Sequence, residues 1–326
     1  MWKRILNRPE RRCRPAFNRL CLSAIVLSFS AITQAGCIGV VTAGGGVDFW
    51  QHIGNGALQA GKDLNYEVIV RGPKNESDHI SQSLIIKQMR EKGCNALVLA
   101  PNHPQLRDQV NQLAKEGIPT VFIDRNLSIE DVGSISTVST VQTENTEAGK
   151  LAAVEMIKHL KPGQNIAIFR FDPHLSSTTK RERGFIEEIS KAQLNIVVDA
   201  HLGTDTTDAS VNAHTLLTEH PEIHGLFTPN ESTTLATLNM RKRLPATHTI
   251  IHIGFDTHPE FLESIESGLL KAIVIQTPFQ IGYKAVKNAL KALNGEQPAS
   301  RIFTPALVIT KENLHSDTIK NVLAGK

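Results

Sequence analysis

Phe49-Trp50, Asp124-Arg125, Asn230-Glu231 and Phe255-Asp256 share a setting: each stands at or just beyond the end of a short run of β-branched and aliphatic residues. Thr42, Pro101-Asn102, Phe171-Asp172 and Gln276 occupy the same kind of position. Carboxylates accept paired hydrogen bonds, guanidinium groups donate them in a fixed fork, and amides do both. Such a set suits a ligand with several neighbouring hydroxyls, and a flat aromatic ring can lie against its apolar C–H face. Any one Asp after a strand is more often a helix cap. The series in register is harder to assign to capping alone.

The elements that must position these residues follow from periodicity. Strand candidates are IGVVT (38–42), YEVIVRG (66–72), ALVLAP (96–101), PTVFID (119–124), SISTV (134–138), NIAIFRF (165–171), NIVVDAHL (195–202), GLFTPN (225–230), IIHIGFD (250–256) and KAIVIQT (271–277). Between most of them lie amphipathic stretches with apolar residues at helical spacing, such as residues 48–65 and 81–93. Regular alternation of strand and helix implies parallel sheets covered on both faces, about five strands in each half. The rhythm breaks at STVSTVQTENTEAGK (136–150), a polar extended stretch that reads as a crossing between two lobes. Ligands of open α/β sheets gather at the carboxyl ends of the strands, where the polar and aromatic residues above stand.

Several function classes lose support. Lys3, Arg4, Arg8, Arg11, Arg12, Arg14 and Arg19 carry the formal charge of +3, so the rest of the chain is mildly acidic and a nucleic-acid partner is not expected. Those residues lead into the apolar run Leu20–Ile32 and the small residues Thr33 and Ala35, the pattern of a secretory leader, assigned to residues 1–35. Cys37 and Cys94 remain, each at the start of a strand candidate. Three states stay open for them: free thiols, a disulfide if the strands are parallel neighbours, or a lipid on Cys37. The glycines at 44–46 are contiguous and lack the G-x-x-G continuation of a dinucleotide fingerprint, and their role is to let the loop turn Phe49 and Trp50 toward the cleft. Ser176 and Ser177 lie in no G-x-S-x-G elbow. The pairs His220/His224 and His248/His252 lack helical geometry for a shared ion, so neither a metal nor a cofactor is expected.

Residues from about Ile38 to Thr310 resemble the type I periplasmic sugar-binding proteins typified by the ribose-binding protein. The segments that carry the resemblance are DFWQHIGNGALQAGKDLNY, TVFIDRN, TENTEAGK, STTKRERGF, LFTPNESTTLATL, IGFDTHPE and IQTPFQIGYKAV, in that order. The resemblance implies an α/β fold of two Rossmann-like lobes joined by a three-segment hinge near Gln142, Thr277 and Phe303. The lobes would comprise residues 36–142 with 277–304 and residues 143–276 with 305–326. It also implies an aromatic pair, Phe49 and Trp50, packed on a sugar. Asp124 and Arg125 would bind hydroxyls from the first lobe, Thr143 would sit at the crossing, and Arg181, Asn230, Asp256 and Gln276 would complete the shell.

The chain departs from that pattern in places. A glycine-rich stretch replaces an Asn before the aromatic pair, and Ala100 stands where Asn is usual, with Asn102 as its substitute. The loop GTDTTD lacks an aromatic residue, and Phe171 is placed to cover that side. The implied activity is non-catalytic capture of a monosaccharide or related polyol by hinge closure, with delivery to the permease of an ABC importer. An alternative role is to present a sugar-like signal, such as a furanone autoinducer, to a chemoreceptor or sensor kinase. The implied location is periplasmic or exported, with a lipid anchor at Cys37 as the alternative. A transcriptional regulator on this fold would need a helix-turn-helix ahead of the first strand, where only the leader stands.

Overall fold

A computed structural model describes residues 36–45, 48–127, 138–244 and 249–325. The leader assigned to residues 1–35 lies outside them. The chain begins β1 (Cys37–Val41), α1 (Asp48–Asp63), β2 (Glu67–Arg71), α2 (His79–Glu91), β3 (Cys94–Leu99), α3 (Leu106–Lys115), β4 (Thr120–Ile123) and β5 (Ser139–Thr143). It continues α4 (Asn145–Ile157), β6 (Asn165–Arg170), α5 (Ser176–Ile189), β7 (Asn195–His201), α6 (Thr206–Glu219) and β8 (Ile223–Phe227). Next come α7 (Glu231–Arg241), β9 (Ile251–Phe255), α8 (Pro259–Ser267) and β10 (Ala272–Ile275). It closes with α9 (Pro278–Leu293), β11 (Arg301–Thr304), β12 (Leu307–Thr310) and α10 (Asp317–Leu323).

Two six-stranded sheets result, ordered β11-β5-β4-β3-β1-β2 and β12-β10-β9-β8-β6-β7. All pairs are parallel except β10 with β12. This is the two-lobed α/β architecture expected from the alternation of strands and helices. Burial follows position: β1, β4, β5 and β10 are buried throughout, whereas the edge strand β2 is exposed or half-buried along its length and β7 is largely exposed apart from buried Val198. The first sheet packs Ile38, Val40 and Val98 against Ile53 and Ala57 of α1 and Ile281 and Ala285 of α9. Its other face meets Ile86 of α2 and Val110 of α3. The second sheet is sandwiched in the same way between α4 with α5 and α6 with α7.

Two details differ from the sequence reading. The fifth strand is β5, inside the polar stretch 136–150, not SISTV at 134–138, of which 134–137 lies outside the described residues. Ser139 and Thr140 sit in a buried strand because the sheet supplies their backbone partners, an override that side-chain polarity conceals. The strands β11 and β12 are additional, which makes six per sheet. At four residues each they are too short to declare a period, and pairing with β5 and β10 defines them. The chain leaves the first sheet after β5, returns with α9 and β11 after β10, and leaves again between β11 and β12.

Cys37 opens β1 and Cys94 opens β3, and these neighbours are in register at that pair. Their sulfurs are bonded to each other. The lipid reading at Cys37 is therefore corrected, because one sulfur cannot hold both a disulfide and a thioether. The bridge closes a loop of 57 residues in sequence. Chain-entropy arguments assign such a closure about 2–4 kcal/mol of stability. Reduction, or the pair Cys37→Ser with Cys94→Ser, is expected to lower the unfolding free energy by roughly that amount. Denaturant titration with and without a thiol reductant checks it, and coincident curves would exclude the bridge.

Candidate functional site

The carboxyl ends of both sheets open onto one cleft, lined by Phe49, Trp50, Glu76, Asp124, Arg125 and Phe171 together with Arg181, Asn230, Glu231, Asp256 and Gln276. Leu175, Ser177, Thr178 and Ser232 complete its wall. The space inside it for the centre of a water-sized sphere is about 50 Å³.

Phe49 and Trp50 stand in the first turn of α1 and meet edge to face, with ring centroids 4.8 Å apart and an interplanar angle of 78°. The glycines before them also have a packing reason. A Cβ on Gly44 would lie 3.3 Å from Glu76 Cγ and 3.4 Å from Trp50 Cδ1, so the small residue gives both side chains room. Trp50 Nε1 donates to Glu76 Oε1 at 2.7 Å, and Arg125 Nη2 donates to Glu76 Oε2 at 2.8 Å. Arg125 Nε donates to Asp124 Oδ2 at 3.0 Å. Burial works against the Arg125 charge, but Glu76 and Asp124 outweigh it and raise the pKa above its usual value. The site thus holds one guanidinium clasped by two carboxylates, and its Nη1 has no acceptor among the described residues.

Arg181 comes from α5, and its place depends on a close helix crossing. A Cβ on Gly149 of α4 would fall 1.9 Å from the carbonyl oxygen of Arg181, and one on Gly184 would fall 1.9 Å from that of Thr146. Only glycine permits this approach. The Arg181 guanidinium donates through Nε to Asn145 Oδ1 and through Nη1 to Pro229 O, both at 2.8 Å. It lies 3.9 Å from the Phe255 ring centroid and 3.6 Å from Asp256 Oδ2. Nη2 has no protein acceptor among the described residues.

Asp256 and Asp124 share an uncommon backbone. Both take positive φ, 67° and 62°, and each donates its N–H to the adjacent strand, to Val274 O at 2.8 Å and to Val141 O at 3.0 Å. The left-handed conformation turns each carboxylate off its strand end and over the cleft. Gln276 orients Asp256: its Nε2 donates to Asp256 Oδ1 while its Oε1 accepts from Thr143 Oγ1 at 2.8 Å. Burial raises the pKa of Asp256, and Arg181 and Gln276 pull it back. Asn230 caps α7 through Oδ1, which accepts from Thr233 N at 3.2 Å and Thr233 Oγ1 at 2.6 Å. Its Nδ2 has no acceptor among the described residues.

Nine of the residues singled out in the sequence line the cleft: Phe49, Trp50, Asp124, Arg125, Phe171, Arg181, Asn230, Asp256 and Gln276. Asn102 and Thr143 do not. Asn102 Nδ2 donates to Ala43 O at 2.7 Å and its N–H to Gln82 Oε1 at 2.9 Å, which ties the loops after β1 and β3 together. Thr143 stands behind Gln276. Glu76 escaped the sequence reading, although it follows β2 by a few residues, and the strand-end rule extended to RGPKNE would have found it. Glu231 was noted beside Asn230 but not assigned to the site. Its Oε2 is buried with no hydrogen-bond partner, and burial, then Asp256, Asp48 and Glu76, push its pKa up to about 8.

Comparison with known proteins follows the same outline. The profile described as periplasmic binding protein domain matches residues 38–297. The ribose import binding protein RbsB of Bacillus subtilis (strain 168) is 27% identical over 265 residues, 81% of this chain and 84% of its own. The crystal structure of a periplasmic component of an ABC-type sugar transport system from Hahella chejuensis superposes with a TM-score of 0.77 at 29% identity, over 84% of this chain and all of the other. An ABC transporter solute-binding protein from Agrobacterium vitis with bound D-fucose gives a TM-score of 0.79 at 28% identity, over 88% and 99% of the two chains.

The Glu231 environment has a stability signature. Between about pH 4.5 and pH 8 the folded protein keeps a proton that the unfolded chain has lost, so raising the pH through this window lowers stability. Glu231→Gln removes that loss. The variant without ligand is expected to melt higher than the parent at pH 8 and close to it at pH 5. Melting curves at the two pH values check this, and a pH-independent difference would refute it.

Proposed function

The chain belongs to the periplasmic binding protein domain family, and from that premise we propose that it is an exported, non-catalytic receptor for a monosaccharide or related polyol. Its two lobes, residues 36–142 with 277–304 and residues 143–276 with 305–326, close over the ligand and present it to an ABC importer. One observation carries the reading. From both sheets the cleft gathers aromatic side chains together with donors and acceptors that have no partner among the described residues: Arg125 Nη1, Arg181 Nη2, Asn230 Nδ2 and Glu231 Oε2. A polyhydroxylated ring supplies the complementary groups around its edge and apolar C–H bonds on its faces.

Specificity follows from enclosure. A ligand lacking one hydroxyl leaves a buried partner unmade, at a cost of about 1–3 kcal/mol. Closure follows from differential contact, since a ligand touching both lobes only when they meet shifts the population to the closed form. The named ligands of similar proteins, ribose and D-fucose, support the class of compound. The disulfide supports passage into an oxidising compartment.

A thermal-shift screen of neutral pentoses, hexoses and polyols is expected to find at least one compound that raises the melting temperature by mass action and alters Trp50 fluorescence. Asp256→Asn is expected to weaken that binding about 10- to 100-fold, from the ~1.5–3 kcal/mol of a charged hydrogen bond. Unchanged affinity in Asp256→Asn would remove this residue from the site, and silence across the panel and across amino-substituted relatives of the same compounds would overturn the receptor reading.

A further inference from the structure

Resting on the receptor reading, we propose that the preferred ligand is an amino-substituted polyol whose ammonium group sits against Glu231. The positions carried over from the sugar-binding proteins include two carboxylates in the cleft, Asp124 and Asp256. Two further carboxylates, Glu76 and Glu231, line the same cleft. The positive charges do not keep pace. Arg125 is divided between Asp124 and Glu76, and Arg181 faces Asp256 at 3.6 Å. Among the described residues Glu231 has no counter-charge.

Its surroundings sharpen the point. The backbone N–H of Glu231 donates to Asp256 Oδ2 at 3.2 Å, which draws a second carboxylate beside it, and Oε2 is buried without a partner. The charged groups that act on it are Asp256 at the end of β9, Asp48 in α1 and Glu76 in the loop after β2, all of them acidic. An ammonium brings three donors and no acceptor, so it satisfies Glu231 Oε2 and offsets the excess of negative charge together. Trp50, Phe49 and Phe171 line the same cleft with faces that attract a cation. A hydroxyl in that place brings one donor and no charge, so it leaves the excess of negative charge uncompensated.

Matched pairs test the proposal. Calorimetry is run with D-glucosamine, D-galactosamine, D-mannosamine and 1-amino-1-deoxy polyols, each beside its neutral parent and its N-acetyl derivative. At least one amine is expected to bind tenfold or more tightly than its parent. The N-acetyl form is expected to lose that gain, and Glu231→Gln to bring the ratio of amine to parent toward one. At pH 7 the amine is also expected to release a proton, read by repeating the titration in buffers of different ionisation heat, because Glu231 passes from protonated to ionised. Neutral parents that bind as tightly as their amines, or amine binding without proton release, would overturn this inference and leave the receptor reading intact. Binding of neither class would overturn both.

Discussion

A buried guanidinium cannot shed its charge, so Arg125 and Arg181 oblige the protein to place acceptors around them at fixed distances. For Arg125 these are the carboxylates of Asp124 and Glu76. For Arg181 they are the amide oxygen of Asn145, the carbonyl of Pro229 and the more distant Asp256. Removing a member of either set strands an ion, and a broken buried pair costs about 3–5 kcal/mol. The cleft therefore has little freedom to vary its polar wall one residue at a time. That rigidity is also what keeps the remaining N–H groups aimed at an occupant.

The two lobes solve this problem with the same parts. Their strand orders correspond position by position, so β4 and β9 are equivalent, and each ends in an aspartate of left-handed backbone hung from the next strand. Each lobe also crosses two helices through glycine. Gly56 and Gly282 bring α1 onto α9, as Gly149 and Gly184 bring α4 onto α5. In the first lobe the crossing seats the helix that carries Phe49 and Trp50, and in the second it seats the helix that carries Arg181. Aromatic faces and guanidinium thus reach the cleft by the same device.

Much of this was legible in the sequence because strand ends are visible as the place where an aliphatic run meets a polar pair. TVFIDRN and IGFDTHPE announce Asp124, Arg125 and Asp256 in that way. What stayed hidden is what the third dimension decides. Glu76 follows an edge strand by a loop, and its value comes from Trp50 and Arg125, which are remote in sequence. Asn102 has the composition of a ligand but spends its amide on a neighbouring loop. The strand β5 is polar because it belongs to the crossing, and a pattern reader looks for apolar runs. The cysteine state turned on register, which placed Cys37 opposite Cys94.

In the proposed receptor closure of the cleft needs a reason, and hydrogen bonds between facing side chains do not supply it. Among the described residues no hydrogen bond joins the side chains of Glu76, Asp124 or Arg125 to those of Arg181, Asn230, Glu231 or Asp256. Hydrogen bonds at the crossings join the Glu144 N–H to Thr304 O and Thr277 Oγ1 to Pro305 O, with Thr143 bonded to Gln276 beside them. Across the cleft itself the carboxylates oppose one another, as the effect of Asp48 and Glu76 on Glu231 records. Without a ligand the polar wall therefore sets the attraction between Asp124 and Arg181 against the repulsion among its carboxylates. In the proposed receptor, a ligand that donates to both walls tips that balance toward closure through its differential contact with the closed form. Gln276 ties the two levels together, since the side chain that orients Asp256 for the ligand also accepts from Thr143 on the crossing strand.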